Sequence, residues 1–280
     1  MLLMSLKQYI KKLIRFTFLS FTVRPSEKIG PQTEWSEEYD TWEQAAAQTS
    51  GYDTNAILDK VKYAAEKVQN RESAYERDSV NFDKIQYAWP ILACLQKIAI
   101  SNNGHLSVID FGGALGSSFY QTKAFLSCLS RFQWFIVEQK HFVDVGIDSF
   151  ETKQLKFAYK IEDILESHRI HCLLLSGVLQ VLPNPFAWIE QFLEFGFENI
   201  LIDRTAFTEG KTKLTVQRVP HTIYQASYPH WFFNETEFIS RFASHYDIIA
   251  DFDSKADGKE IFRRSGEVLY WKGFYLKKRD

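Results

Sequence analysis

Apolar positions in the first third of the chain recur at helical spacing. Ile57, Val61, Ala64 and Val68 lie three or four residues apart in "GYDTNAILDKVKYAAEKVQN", which predicts an amphipathic helix. Thr41 with Gln44 makes a capping-box pattern that opens "TWEQAAAQ". "FDKIQYAWPILACLQKIAI" reads as one more helix, with Pro90 near a boundary or kink. From about Leu106 the pattern changes to short apolar runs alternating with amphipathic stretches. "LSVIDFG", "FQWFIVEQ", "LKFAYK", "IHCLLLSGV" and "ENILIDRTAF" read as strands, and "SSFYQTKAFLSCL", "IEDILESH" and "PFAWIEQFLEF" as helices. Such alternation predicts a mostly parallel sheet covered by helices on both faces. The end of the chain differs. A helix around "NETEFISRFASHY" precedes "DIIADFD" and "LYWKGFYLKK", two strands separated mainly by loop, which predicts a terminal antiparallel pair.

The N-terminus carries a different pattern. Leu2, Leu3, Leu6, Tyr9, Ile10, Leu13, Ile14 and Phe21 share one helical face, with Lys11, Lys12 and Arg15 opposite. That pattern suits either a cationic helix lying in an anionic membrane interface or a helix docked on protein. Its embedded charges argue against a signal peptide or a bilayer span. Residues 1–28 hold six cationic side chains against Glu27, although the whole chain has a net charge of −2. The overall balance gives no nucleic-acid signature. Aromatic residues make up 16% of the 280 positions, enough to fill a large core or line a pocket. Cys94, Cys128 and Cys172 are odd in number and widely spaced, so they suggest neither a disulfide framework nor a metal site, and a cytoplasmic location fits them best.

The chemistry concentrates in "VIDFGGALGSS". Gly112, Gly113 and Gly116 follow Asp110 where an apolar strand meets a helix. Glycines allow positive φ and close approach of a ligand, and the helix start offers unpaired N–H groups. Glu138 ends the next strand, 26 residues beyond Gly112, where a carboxylate can accept from both hydroxyls of a ribose. Together these features point to an adenosine-bearing cofactor, and their spacing alone leaves NAD and S-adenosylmethionine (SAM) both open.

"VIDFGGALG" resembles the first motif of class I SAM-dependent methyltransferases, D-x-G-x-G-x-G, with Ala114 in place of the middle glycine. "LLLSGVLQVLPNP" is similar to the segment after the fourth strand of that superfamily, which implies that Ser176 and Gly177 face the cofactor. Longer stretches, among them "YERDSVNFDKIQYAWPIL", "LIDRTAF" and "ASYPHWFFNETEF", resemble a bacterial family of methyltransferase-like proteins associated with surface-polysaccharide gene clusters. The resemblance implies a Rossmann-like α/β fold: a mostly parallel seven-stranded sheet with a terminal antiparallel strand, and an N-terminal helical extension. It further implies SAM as cofactor and a small-molecule or glycan-type acceptor.

Three regions follow: a basic amphipathic helix over 1–24 with peripheral membrane contact, a helical lid region over 25–105, and the Rossmann-like domain over 106–280. On the acceptor side Asp203 is a candidate base or anchor and Arg204 a candidate partner for an anionic group. His230 is the preferred base, because an unshifted imidazole titrates near ~6.5. His221, Tyr228 and Trp231 are candidates for an acceptor pocket. Tyr75 and Arg77 sit where a lid would meet the cofactor, with Arg77 placed for a carboxylate. Two alternatives stand beside methyl transfer: a non-catalytic binding module of the same fold, and an NAD- or nucleotide-dependent sugar-modifying enzyme.

Overall fold

Short elements precede the sheet: β1 (Glu34–Trp35), α1 (Trp42–Ala46) and α2 (Asn55–Gln69). The computed structural model describes residues 34–36, 38–51, 55–219, 226–254, 261–262 and 267–279. The helix expected over 1–24 and the pocket candidate His221 lie outside the described residues. Thr41 caps α1, its hydroxyl accepting from the Gln44 N–H at 3.3 Å. After α2 the chain forms a hairpin, β2 (Tyr75–Arg77) and β3 (Val80–Phe82). Asp78 and Ser79 make its turn with φ of 51° and 67°, the left-handed pair that a two-residue hairpin requires. The segment "YERD", expected before a helix start, is therefore strand and turn. Helix α3 (Trp89–Ser101) begins later, with Pro90 in its first turn, where no N–H is needed.

The sheet follows in strict alternation: β4 (His105–Phe111), α4 (Ser117–Leu126), β5 (Arg131–Val137), α5 (Lys140–Ser149), β6 (Leu155–Ala158), α6 (Ile161–Leu165) and β7 (Cys172–Ser176). A 3₁₀ turn (Leu179–Val181), α7 (Pro185–Phe195) and β8 (Asn199–Thr208) complete the parallel part. The last elements are β9 (Lys213–Arg218), β10 (Ser227–Asn234), α8 (Glu235–Ser240), β11 (Tyr246–Asp253), β12 (Ile261–Phe262) and β13 (Val268–Lys278).

Strands β6, β5, β4, β7 and β8 lie side by side and parallel. β13 runs antiparallel on the free side of β8, and β11 pairs antiparallel with β13. This seven-stranded, mostly parallel order with one reversed strand is a Rossmann-like α/β sheet, as the sequence resemblance implies. The strand order reverses between β4 and β7, so a crevice opens at their carboxyl ends. The fold adds a hairpin to this frame. β10 continues parallel beside the end of β8 at Phe207 and Thr208, β9 pairs antiparallel with β10, and β1 with β9.

Successive strand residues face opposite layers. Val108, Trp134 and Leu174 join Leu95, Phe119 and Phe142 in one core cluster. Ile109, Phe135 and Leu173 join Ile164, Ile189 and Phe192 in the other. Both faces are covered, which explains why the strands read as nearly continuous apolar runs. Residues 33–280 form one compact unit, and within it α3 packs in the same cluster as β4.

Candidate functional site

The glycine turn is held by the strands on each side of it. Gly112 donates to the Val137 carbonyl at 2.9 Å, fastening the turn to the end of β5. A Cβ on Gly112, whose φ is +75°, would stand 2.4 Å from Val178 Cγ2 just after β7. A Cβ on Gly113 would meet the Asp110 carboxyl group at 2.6–3.0 Å. Ala114 adopts φ 49°, so the residue in place of the middle glycine still takes the left-handed conformation. Gly116, at φ 105°, turns the chain into α4.

Asp110 lies beneath this turn, 1% exposed. The Trp134 indole donates to its Oδ2 at 3.1 Å. Burial pushes its pKa up to about 7; the hydrogen bonds from Trp134 and Ser118 oppose that rise and the nearby Glu138 charge adds to it. Asp110 thus shapes the turn from below. Glu138 stands half-buried at the end of β5, its Oε2 accepting from the Gln139 N–H at 2.7 Å.

On the other side of the crevice, Ser176 and Asp203 are register partners at the ends of β7 and β8. Ser176 Oγ donates to Asp203 Oδ2 at 3.4 Å, and Gly177 N–H to the Asp203 carbonyl at 3.0 Å. Arg204 follows with φ 52° where β8 parts from β7. Gln180 donates to the Arg204 carbonyl at 2.9 Å, and the guanidinium lies about 3.8 Å from where a Gly177 Cβ would stand. Its Nη2 pairs with Asp78 Oδ2 at 2.6 Å, so the β2–β3 hairpin is tied to the end of β8. Four non-glycine residues with positive φ, Asp78, Ser79, Ala114 and Arg204, belong to these loops and strand ends. Such strain persists only where surrounding structure enforces it, commonly at functional sites.

The hairpin also delivers a residue to which the sequence alone assigns no separate role. Tyr75 and Arg77 share one side of β2. The Tyr75 ring stacks on Phe82 with centroids 5.9 Å apart, and its hydroxyl pKa is raised by burial. The Arg77 guanidinium lies 5.5 Å from the Phe82 centroid and donates to Gln86 Oε1 at 3.1 Å. Both side chains make contacts within or beside the hairpin. Glu76, between them, points the other way. It is 3% exposed, and Ser117 at the start of α4 donates to its Oε1. Burial raises its pKa to about 7, against the Ser117 hydrogen bond. Strand alternation would have found Glu76 had the hairpin been recognised.

His230 needs a correction. It is 2% exposed in β10, with ring centroids 4.6 Å from Trp35 and 4.9 Å from Phe232. Its Nδ1 is buried without a hydrogen-bond partner, and burial drives its pKa down to about 3. An imidazole sealed this way stays neutral and is a poor proton acceptor, so His230 is a core residue. Tyr228 is 7% exposed and packs in the cluster that includes Leu92 and Leu95. Trp231 donates to the Leu182 carbonyl at 3.1 Å and stacks on Trp42. The dense aromatic segment is thus mostly strand β10, with its side chains used in packing.

Glu138 offers carboxylate acceptors beside β5, while the buried Glu76 lies at the start of α4. Among the described residues no group of His, Cys, Asp and Glu is arranged to hold a metal.

No protein-family model and no curated protein matches the chain. Similar solved structures include the N-terminal domain of EvdMO1, determined in the presence of SAH and D-fucose. It is 11% identical with a TM-score of 0.48, over 81% of this chain and 100% of that one. The 1,6-didemethyltoxoflavin-N1-methyltransferase of Burkholderia thailandensis is 14% identical with a TM-score of 0.43, over 90% and 98%. The [4+2]-cyclase SpnF is 10% identical with a TM-score of 0.47, over 87% and 98%.

Proposed function

We propose that this protein is a SAM-dependent methyltransferase acting on a small-molecule or glycan-type acceptor. The observation that carries the proposal is the placement of the glycine turn and Glu138 at neighbouring carboxyl ends, β4 and β5, in a sheet whose β13 is reversed. In this reading Gly112, Gly113 and Gly116 bring the backbone close to the cofactor, Glu138 accepts from its ribose hydroxyls, and Ser176 and Gly177 line the opposite wall. Asp110 acts through the turn rather than on the ligand. Bound SAM supplies an electrophilic methyl group. The chain's part is to hold the acceptor in line, exclude water and accept the proton that an attacking hydroxyl releases. Asp203 replaces His230 as the base, because it stands at the crevice beside Ser176. Arg204 would bind an anionic group of the acceptor by exchanging its contact with Asp78.

A role in surface-polysaccharide biosynthesis rests on the family resemblance, and a membrane-facing location on the basic face of residues 1–24. Among the described residues no helix is long and apolar enough to cross a membrane. Titration calorimetry with SAM, S-adenosylhomocysteine and NAD tests the cofactor. Heat with the two adenosyl ligands and none with NAD is the expected result, and Glu138→Ala should weaken both by about tenfold. Heat with NAD alone would return the site to a nucleotide-dependent sugar enzyme. Loss of binding to anionic vesicles after removal of residues 1–24 tests the membrane contact.

A further inference from the structure

We propose that Glu76 is the countercharge for the ammonium group at the amino-acid end of the bound cofactor. The inference rests on the methyltransferase reading above. Glu76 is a buried carboxylate carried by the hairpin to the first residue of α4, directly after Gly116. No cation among the described residues forms an ion pair with it. Arg204, whose charge reaches Glu76, makes its ion pair with Asp78 instead. A buried carboxylate without a cation is costly to keep, and such groups cluster where a ligand completes the pairing.

The other buried carboxyl group of the turn does not share this property. Asp110 is occupied by Trp134 and Ser118 and is covered by Gly113, which leaves no room even for a Cβ. Glu138 follows β5, the strand paired with β4, and in the methyltransferase reading it takes the ribose. An elongated ligand with its ribose at Glu138 therefore extends its amino-acid end toward α4. There the backbone N–H groups favour its carboxylate and Glu76 its ammonium.

The charge relation gives a second signal. Burial holds the Glu76 carboxyl pKa near 7, with Asp78 raising it, and Arg204, Ser117 and the Ser79 backbone lowering it. An arriving ammonium selects the ionised form, so binding near pH 7 releases a proton from Glu76.

The test is calorimetry of the full chain with two probes. S-adenosylhomocysteine carries the amino-acid end; 5′-methylthioadenosine keeps the adenosine and thioether without it. Glu76→Gln should weaken S-adenosylhomocysteine by roughly tenfold or more, leave 5′-methylthioadenosine unchanged, and abolish the proton release seen across buffers of different ionisation enthalpy. Equal affinity of variant and wild type for S-adenosylhomocysteine overturns the inference, as does an equal loss for both probes, which marks a structural role. Wild type that binds neither probe overturns the methyltransferase reading and this inference with it. If Glu76→Gln lacks a cooperative melt, Glu76→Asp, which withdraws the carboxylate by one methylene, is judged by the same two probes.

Discussion

Two sets of buried polar groups, at the glycine turn and at the β10 edge, are treated in opposite ways. At the glycine turn Asp110 and Glu76 are sealed from water but receive hydrogen bonds from Trp134, Ser118, Ser117 and Ser79. At the β1–β9–β10 edge His230 Nδ1 and Trp35 Nε1 are sealed with no partner at all. Burial penalises the charged form in both regions. The carboxyl groups therefore rise to about 7, close to the neutral range where a cation can ionise them. His230 falls to about 3, where its charge is out of reach. In both regions hydrogen bonds favour the ion; at His230 desolvation outweighs those from the backbone of Trp231 and of His230 itself, which keeps the ring neutral.

The largest expected effect is a break of the turn itself. Gly112→Ala should cost about 3 kcal/mol in denaturant unfolding, from positive φ together with the collision against Val178. A change below about 0.5 kcal/mol would mean that the turn relaxes freely and that its geometry is not imposed by β7.

The two regions should next separate by pH. Asp110 and Glu76 hold protons in the folded state that the unfolded chain has released above about pH 4–5. Their contribution therefore falls as pH rises from there toward about 7. Asp110→Asn should flatten part of this decline in unfolding free energies taken at successive pH values. An unchanged slope would show Asp110 to be ionised throughout.

His230 works with the opposite sign. The unfolded chain takes up a proton below about pH 6.5, whereas the buried imidazole stays neutral down to about 3. Its contribution is full above that upper limit and is lost as pH falls. His230→Phe should remove this acid sensitivity and change stability at pH 7 by no more than about 1 kcal/mol, with S-adenosylhomocysteine affinity unchanged. Loss of that affinity would bring β10 back to the ligand site.

The smallest effect belongs to the tie between hairpin and sheet. Asp78 is half exposed, so Asp78→Ala should cost about 0–1 kcal/mol. Amide exchange over residues 75–82 should quicken all the same, because Arg204 no longer holds the turn. Unchanged protection there would show that the other contacts of the hairpin, among them Glu76 with Ser117 and Asn81 with the Ala64 carbonyl, secure it without Arg204.

Much of the sheet was legible because buried parallel strands announce themselves as apolar runs. "CLLLS" and "ILID" need no partner to be recognised. Helix α5 was not read from "KHFVDVGIDS", where Gly146 interrupts the helical signal. That glycine is required by packing, since a Cβ there would stand 2.3 Å from the Phe157 ring. Strand β10 was read as a pocket because "SYPHWFFN" combines Pro229 with aromatic side chains of every polarity. Its pairing with β9 is a long-range fact that local pattern does not carry.

The sequence by itself determined the alternation of strands and helices, the reversed final strand, the glycine turn and the carboxylate after β5. Most are written in local periodicity or in glycines, which adopt backbone conformations that other residues rarely take. Tertiary structure decided which polar side chains serve the crevice. Hairpin register turned Glu76 toward α4 and Arg77 away, and the ends of β7 and β8 brought Ser176 to Asp203. Burial beside Trp35 withdrew His230 from the chemistry. The physical reason is that reactivity depends on desolvation and on partners from distant segments, and neither is encoded at the residue itself.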